Sequence, residues 1–320
     1  MSGGILVAGA GAIGSVVGGL LAAAGAPVTL LARPAHCEAM DAAGLAIEGL
    51  FGTHRVHGVA CAASVEALAP AYDAILVTVK AWDTTAMLAA VAPRLARGGV
   101  IVSLQNGLGN LEAAVEAVGR DRVLGGRVIF GAEMPAPGRV RVTVCAAPVL
   151  VGAVDPARRA DAAHWAARLA AAGVPAEPTD ALAAELWGKV LYNAALNPLG
   201  ALLDVAYGAL PADPDARVVM DAVIDEAFAV ARADGVELRW DDADAYRREF
   251  YQALVPPTAA HRSSMLQDLA RGRPTEIDAI NGWVVRRGSA LGIPTPTNAL
   301  LTRLIKMRVR RANTEPCPPR

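Results

Sequence analysis

The feature that most constrains the fold is an uncharged run of 27 residues from Ile5 to Leu31. Such a length could cross a bilayer. However, Gly9, Gly11, Gly25 and Pro27 interrupt the run, and no basic residue precedes it as in a signal peptide. The run therefore predicts a buried strand, turn and helix, and no membrane association.

A glycine pattern lies inside this run, where a predicted strand (4–8) meets a predicted helix (12–24). The pattern is Gly9-Ala10-Gly11-Ala12-Ile13-Gly14. In a dinucleotide-binding loop, the first glycine permits the tight turn, the second lets a pyrophosphate approach the backbone, and the third allows close helix packing. The phosphate then lies at the helix N-terminus. The alternative interpretation is a glycine-rich turn that binds no ligand.

Strands that are apolar on both faces alternate with alanine-rich helices through the first half of the chain. This alternation predicts an α/β fold with a parallel, doubly wound sheet of the Rossmann type, covered on both sides. Residues 44–60 read as a hairpin insertion and residues 122–154 as strand-rich. From about residue 180 the chain reads as helical throughout. We expect an NADP-binding domain at 1–179, an all-helical substrate domain at 180–312 and a disordered tail at 313–320.

Composition excludes some classes of function. The net charge of −1 gives no electrostatic footprint for nucleic acid. Four cysteines are scattered without CxxC spacing, which argues for a reducing compartment, the cytoplasm, and against zinc. His54 and His57 are more typical of an exposed hairpin than of a metal site, so no metal is expected. Apolar surface in the helical half makes a homodimer plausible.

Lysine is rare in this chain. Of 30 basic residues only Lys80, Lys189 and Lys306 are lysines, and the other 27 are arginines. Lysine should persist where arginine cannot substitute, because lysine can give up a proton when its site lowers its pKa. Lys80 and Lys189 lie in distinctive local sequences, which suggests a proton donor beside a hydride-carrying cofactor.

The ends of the predicted strands suggest the coenzyme. An NAD enzyme usually has an acidic residue after the second strand, but here Arg33 follows Leu31 and Ala32, which favours a 2′-phosphate and hence NADPH/NADP⁺. Arg33 could instead be an ordinary surface residue. Lys80 and Asn106 follow later strands, and the carboxyl ends of such strands line the ligand crevice.

In the helical half, Lys189, Asn193 and Asn197 recur at i, i+4 and i+8, which places them on one stripe among apolar neighbours. Pro198 should leave the carbonyl of Ala194 without its usual helical partner, a frequent mark of a ligand site. Glu276 lies in the first turn of a predicted helix, where acidic residues are common for dipole reasons alone.

Taken together, these motifs resemble those of the ketopantoate reductase (2-dehydropantoate 2-reductase) family over nearly the whole chain. The resemblance rests on the glycine pattern, Val79-Lys80-Ala81-Trp82, Gln105-Asn106-Gly107, the Lys189 helix with Asn197-Pro198, Ser263-Ser264-Met265-Leu266-Gln267-Asp268, and Thr275-Glu276-Ile277-Asp278-Ala279-Ile280-Asn281-Gly282. It implies NADPH-dependent reduction of 2-dehydropantoate to (R)-pantoate in pantothenate biosynthesis, at a cleft between the two domains.

The resemblance also implies residue roles. Lys189 would be the general acid, and Glu276 would hold a substrate hydroxyl and orient the lysine. The implied keto-acid contacts are Asn106, Asn193, Asn197 and Ser264. The implied coenzyme contacts are Gly9, Gly11, Ala12, Ile13, Gly14, Arg33, Lys80 and Asn106. Two alternatives stay open, a reductase of another small 2-keto acid and a non-catalytic NADP-sensing regulator.

Overall fold

A computed structural model describes residues 4–314, with the side chains described through residue 311. These residues divide into two compact units, and the division falls after Leu182. No helix within 4–314 is both long and apolar enough to span a membrane. Of the segment expected to be a disordered tail, residues 313 and 314 are helical, and the remainder lies outside the described residues.

The first unit, which we call unit 1, holds the strands and five helices. The strands are β1 (Gly4–Ala8), β2 (Val28–Leu31), β3 (Leu45–Gly49), β4 (His54–Val56), β5 (Ala60–Ala62), β6 (Tyr72–Val77), β7 (Leu95–Ser103), β8 (Val123–Arg127), β9 (Phe130–Ala136), β10 (Arg139–Cys145), β11 (Val149–Ala153) and β12 (Ala176–Pro178). The helices are α1 (Ala12–Ala23), α2 (Pro34–Ala43), α3 (Thr84–Val91), α4 (Asn110–Val118) and α5 (Arg159–Ala171).

The larger sheet has the strand order β12-β11-β8-β7-β6-β1-β2-β5. From β5 to β8 the neighbouring strands are parallel, whereas β11 is antiparallel to β8. The chain leaves β1 toward β2 on one side and resumes at β6 on the other, so the strand order reverses there. In open α/β sheets, ligands bind outside the carboxyl ends of the strands at such a switch point.

Both faces of this sheet are buried, as the sequence predicted. Ile5 and Val7 of β1 belong to the core shared with α1 and α5, whereas Leu6 and Ala8 belong to the core shared with α3 and α4. Because side chains alternate along a strand, a sheet covered on both sides needs apolar residues at every position. This need explains why the strands lack a polar face.

A second sheet, of order β4-β3-β10-β9, explains why α1 carries no charge. A Cβ added at Gly18 of α1 would lie 2.5 Å from Leu30 in the larger sheet. One added at Gly19 would lie 2.6 Å from Leu45 in the second sheet. Helix α1 is therefore packed between two sheets, and a helix enclosed in this way is apolar all round. The predicted hairpin is present as β3 and β4, within this second sheet.

The prediction about the cysteines was wrong for two of the four. Cys37 in α2 and Cys61 in β5 form a disulfide, with Cα atoms 5.4 Å apart. Strand β5 lies beside β2, with Leu30 opposite Cys61, and α2 follows directly after β2. This pairing depends on strand order in the sheet, which cysteine spacing does not encode.

The second unit, unit 2, is helical, as predicted. Its helices are α6 (Leu182–Leu203), α7 (Pro214–Ala233), α8 (Ala243–Glu249), α9 (Ser264–Ala270), α10 (Asn281–Leu291) and α11 (Pro296–Thr314), with α6 starting at the division. A π-helical segment, Phe250–Leu254, continues α8. The core includes Met220, Ile224, Phe250 and Val284, which are all fully buried.

Candidate active site

The glycine-rich loop follows β1 at the switch point of the larger sheet. Gly9 has a φ of +99°, and a Cβ added there would lie 2.4 Å from Cγ1 of Val79 and 2.8 Å from its backbone nitrogen. A Cβ added at Gly14 would lie 2.7 Å from the carbonyl oxygen of Gly9. Gly9 therefore serves the turn and Gly14 the helix packing, and neither position has room for a side chain.

Gly11 differs from its two neighbours in the pattern. Its φ is −77°, and an added Cβ would meet no other atom closer than 4.0 Å. Gly11 is also the N-cap of α1, which has no side-chain cap and no acidic residue in its first turn. An open backbone surface at an uncapped helix N-terminus, beside Ala12 and Ile13, fits a phosphate group.

Arg33 follows β2 and is the N-cap residue of α2. Its side chain is exposed, and no ion pair joins it to another residue within 4–314. The strand that precedes it, β2, lies next to β1 in the sheet. Arg33 thus lies at the same edge of the sheet as the glycine-rich loop, and no carboxylate among the described residues pairs with it.

Lys80 and Asn106 follow the neighbouring strands β6 and β7. The Nζ of Lys80 lies 5.7 Å from the ring centroid of Trp82, within the range of a cation–π contact. Lys80 and Asn106 are both half-buried. The structure therefore brings the glycine-rich loop, Arg33, Lys80 and Asn106 to one edge of the unit 1 sheet.

A buried hydrogen-bond network, which the sequence did not reveal, holds the segments that carry Lys80 and Asn106. The amide of Gln105 donates to the carbonyl of Val79 (2.9 Å) and to Oγ1 of Thr84 (2.7 Å). Thr84 donates to Oδ1 of Asn110 (2.8 Å), and the Asn110 amide donates to the carbonyl of Asn106 (2.9 Å). Three of these four bonds join partners 21 to 26 positions apart, so no local pattern signals the network as a whole.

In unit 2, the predicted polar stripe lies on α6, which runs unbroken through Pro198. Lys189 and Asn193 are half-buried, and Asn197 is 5% exposed. Apolar neighbours on the same helix, such as Leu191 and Leu196, are fully buried. Because burying a polar group without a partner is costly, the stripe needs partners or a ligand.

Asn197 has a partner that the sequence did not suggest. The buried hydroxyl of Tyr207 donates to Oδ1 of Asn197. Burial, and then the nearby Tyr192, raise the pKa of Tyr207, so its hydroxyl remains a donor at neutral pH. The backbone carbonyl of Asn197 also accepts a hydrogen bond from Oγ of Ser263 (3.4 Å). These contacts fix Asn197 in one orientation, with its amide nitrogen directed away from Tyr207.

The expectation that the Ala194 carbonyl marks a ligand site was wrong. The side-chain amide of Asn281 donates to that carbonyl (3.0 Å) and to Oδ1 of Asn298 (2.9 Å). Asn281 is fully buried. The backbone acceptor released by Pro198 is thus satisfied within unit 2, by a residue 87 positions away in the sequence.

The remaining two predicted residues, Ser264 and Glu276, lie close in sequence to residues that contact α6. Ser263 caps α9 and contacts the backbone of Asn197, and Ser264, the first residue of that helix, is exposed. Glu276 is 7% exposed and lies in a short 3₁₀ turn, not in the first turn of α10 as predicted. That turn ends shortly before Asn281. Two hydrogen bonds, from Ser263 to Asn197 and from Asn281 to Ala194, join the neighbours of these residues to α6.

These features define a class of protein. A doubly wound sheet with an open glycine-rich loop at its switch point is a Rossmann-type dinucleotide-binding domain. Unit 2 adds a lysine on a helical stripe of amides and a buried carboxyl group, that of Glu276. The combination is that of an NAD(P)-dependent oxidoreductase, and comparisons with known proteins narrow it further.

Residues 5–156 match the family model described as ketopantoate reductase PanE/ApbA, and residues 181–309 match the model of the C-terminal part of the same family. The chain belongs to the ketopantoate reductase family. It is 37% identical over 306 residues to the 2-dehydropantoate 2-reductase of Aquifex aeolicus, covering 95% of this chain and 96% of that protein. The Pyrococcus horikoshii 2-dehydropantoate 2-reductase is 34% identical, covering 95% and 97%.

Solved structures agree. The chain resembles a PanE/ApbA family ketopantoate reductase from Ralstonia eutropha with a TM-score of 0.86 at 37% identity, covering 97% of this chain and 99% of that one. It also resembles a D-mandelate dehydrogenase, solved with NADH and anilino(oxo)acetate, with a TM-score of 0.87 at 26% identity and the same coverage. The fold class and family expected from the sequence are confirmed.

Proposed function

We propose that this protein reduces 2-dehydropantoate to (R)-pantoate with NADPH, as a step of pantothenate biosynthesis. The observation that carries the proposal is the Lys189–Asn193–Asn197 stripe on the largely apolar helix α6. Ser263, next to Ser264, and Asn281, which follows the Glu276 turn, donate hydrogen bonds to this helix. The names of the relatives supply the substrate. We further propose residues 1–179 as the coenzyme domain and 180–312 as the substrate domain.

The residues that would hold the coenzyme fit its chemistry. The backbone of Gly9, Gly11, Ala12, Ile13 and Gly14 would receive the pyrophosphate, since Gly11 is open and α1 is uncapped. Arg33 would pair with the 2′-phosphate and Lys80 would contact the adenosine-phosphate end. Asn106 would lie near the nicotinamide and the keto acid. Bound NADPH would supply the hydride.

The side chains of unit 2 would supply the proton and hold the substrate. Negative charge develops on the keto oxygen during reduction, and Lys189 would stabilise that charge and then donate a proton to the oxygen. Arginine could provide only the charge, because it does not release its proton at working pH. Asn193, Asn197 and Ser264 would bind the keto acid. Glu276 would hold a substrate hydroxyl and orient Lys189.

Substitution of Lys189 tests this assignment. Both Lys189→Ala and Lys189→Arg should lower kcat by about 10²–10⁴-fold, the usual contribution of an acid–base group. Lys306→Ala is the matched control, since Lys306 is the third lysine and forms a surface ion pair with Asp278. Near-normal turnover in Lys189→Ala, measured by nicotinamide absorbance, would reject Lys189 as the proton donor.

Coenzyme preference is tested at Arg33. Arg33→Ala should weaken NADPH much more than NADH, because only NADPH carries the phosphate that the guanidinium would bind. Arg97→Ala provides the control, since Arg97 is an exposed arginine on β7 of the same unit. Equal weakening of both coenzymes would remove Arg33 from the phosphate site.

One observation favours a second candidate, the reduction of a different small 2-keto acid. The similar D-mandelate dehydrogenase was solved with NADH and an aryl keto-acid-like compound. A panel of 2-dehydropantoate and aryl and alkyl 2-keto acids, each assayed with NADPH and NADH, separates the two candidates. Turnover confined to an aryl keto acid would favour the second. Coenzyme binding without turnover of any compound would instead indicate a regulator.

A further inference from the structure

A buried histidine lies behind the proposed coenzyme site, and the mechanism above does not use it. His36 is in the first turn of α2, three residues after Arg33, and is 4% exposed. Both ring nitrogens have partners. Nδ1 lies 2.8 Å from the backbone nitrogen of Gly138, and Nε2 lies 2.9 Å from Oγ of Ser15.

The partners of His36 determine where its proton lies. The backbone N–H of Gly138 can only donate, so Nδ1 accepts and carries no hydrogen. In the neutral ring, Nε2 therefore carries the hydrogen and donates to Ser15. Ser15, itself fully buried, donates onward to the carbonyl oxygen of Ala10 (3.1 Å). The hydrogen bonds thus run in one direction, from Gly138 to the glycine-rich loop.

The end of this chain of hydrogen bonds lies between the first two glycines of the loop. The N–H of Ala10 donates to the carbonyl of Leu31 (2.8 Å), and the next N–H, of Gly11, donates to the carbonyl of Gly9 (2.7 Å). With the Ala10 carbonyl held by Ser15, the polar backbone groups on both sides of Ala10 are fixed. The backbone of His36 makes a separate contact: its N–H donates to the carbonyl of Arg33 (2.9 Å).

We propose that His36 is a positioning residue for the coenzyme, which holds the glycine-rich loop and the Arg33 turn in fixed relation. This inference rests on the proposed binding of a dinucleotide at that loop. A loop that is already ordered before binding loses less conformational freedom when the ligand arrives, which increases affinity. His36 would therefore act on coenzyme affinity rather than on the chemical step.

Two substitutions of His36 divide its contacts. His36→Gln can place an amide nitrogen near the position of Nε2 and keep the bond to Ser15, at the loss of Gly138. His36→Asn can place an amide oxygen near Nδ1 and keep Gly138, but it does not reach Ser15. Ser15→Ala removes the hydrogen bond between His36 and Ser15 by deleting the serine hydroxyl. His164→Asn is the control, because His164 is exposed on α5 of the same unit.

We expect the KM for NADPH to rise about 5- to 20-fold in His36→Asn and Ser15→Ala, the effect of losing one buried hydrogen bond. His36→Gln should stay within about 3-fold of wild type, and kcat should change little in all three. If His36 had only a structural role, all three variants would lose thermal stability, but the KM for NADPH would not be higher in His36→Asn and Ser15→Ala than in His36→Gln. If His36→Asn does not fold, the comparison of KM between Ser15→Ala and His36→Gln tests the proposal.

The pH dependence provides a second readout. Protonation would place a hydrogen on Nδ1 facing the Gly138 N–H and break that bond. Burial lowers the pKa of His36, with no contribution from a charged group. Consistently, α1 has no charged residue and Arg139, next to Gly138, pairs with Glu48 at the surface. On α2 itself, Arg33, Glu38 and Asp41 are exposed.

The KM for NADPH should therefore be constant above about pH 6.5 and rise on acidification in wild type. This acid rise should be reduced in His36→Gln. The 2′-phosphate titrates in the same way in both proteins, so the difference between them reports His36.

Gly11→Ala, assayed alongside, distinguishes two kinds of failure. If Gly11→Ala raises the KM while Ser15→Ala and both His36 variants match wild type, the coenzyme site stands and the positioning role of His36 is wrong. If Gly11→Ala also matches wild type, the proposed coenzyme site is wrong and the inference falls with it. Equal KM increases in His36→Gln and His36→Asn would likewise reject the link through Ser15.

Discussion

Replacing Gly9 and Gly11 by alanine, one at a time, should separate folding from coenzyme binding, because these glycines have opposite surroundings. An added Cβ at Gly9 would lie 2.8 Å from the backbone nitrogen of Val79, at a φ of +99°. An added Cβ at Gly11 would meet no other atom closer than 4.0 Å, at a φ of −77°. We expect the first change to reduce stability and the second to reduce affinity.

The magnitudes follow from these distances. For Gly9→Ala, backbone strain costs about 1–3 kcal/mol. The overlap with Val79 costs about 1–3 kcal/mol more. At about 2–4 °C per kcal/mol for a unit of this size, Tm should fall by roughly 5–20 °C. Gly11→Ala changes only the N-cap of α1, at a cost of up to about 1 kcal/mol. Its methyl group would nevertheless occupy the open surface, and we expect at least a tenfold increase in the Kd for NADPH, about 1.4 kcal/mol.

Thermal unfolding followed by circular dichroism, together with NADPH titration followed by fluorescence, measures both quantities in each variant. An unchanged Tm in Gly9→Ala would show that the packing against Val79 tolerates a side chain. A wild-type Kd in a folded Gly11→Ala variant would show that no phosphate approaches the backbone at this position, and the proposed coenzyme site would have to be abandoned.

Three further outcomes are expected from contacts described above. Replacing Cys37 and Cys61 by serine should lower the free energy of unfolding of unit 1 by about 2–4 kcal/mol, because the bridge spans 24 positions; urea unfolding measures this, and an unchanged midpoint would contradict it. Asn281→Ala should cost about 2–3 kcal/mol, because it leaves the buried carbonyl of Ala194 without a donor; a neutral result would mean that water replaces the amide. Burial lowers the pKa of His261, so on acidification the unfolded chain binds a proton that the folded chain does not. The free energy of unfolding should therefore be at its full value above about pH 6.5 and fall below it. Replacing His261 by glutamine should make the free energy of unfolding less dependent on pH, and an unchanged pH dependence would refute this role of His261.

The architecture could be predicted from the sequence because it depends on local patterns. The glycine pattern between an apolar strand and a helix fixed the start of the fold, and β1 and α1 have the predicted bounds to within one residue. The change to helix near residue 180 was visible in the same way. These signals need only a short window of sequence, because strand and helix periodicity are local properties.

The partners of polar and sulfur atoms could not be predicted, because they depend on which distant segments meet. The amide of Asn281 reaches Ala194 across 87 positions, and Cys61 reaches Cys37 only because β5 lies beside β2. Glu276 lies in a 3₁₀ turn although its neighbours have helical spacing, since α10 does not begin until Asn281. The roles of the site residues remain predictions for the experiments above.

The second sheet has a consequence for how unit 1 is made in the cell. Parallel pairing of β3 with β10 joins Ala46 to Arg139, so this sheet cannot form until more than a third of the chain has left the ribosome. Until then α1 lacks its packing against β9 and β10, and part of a long uncharged segment remains exposed to water. Nascent chains of intermediate length should therefore be the ones most dependent on chaperones, and most prone to associate through their N-terminal segment.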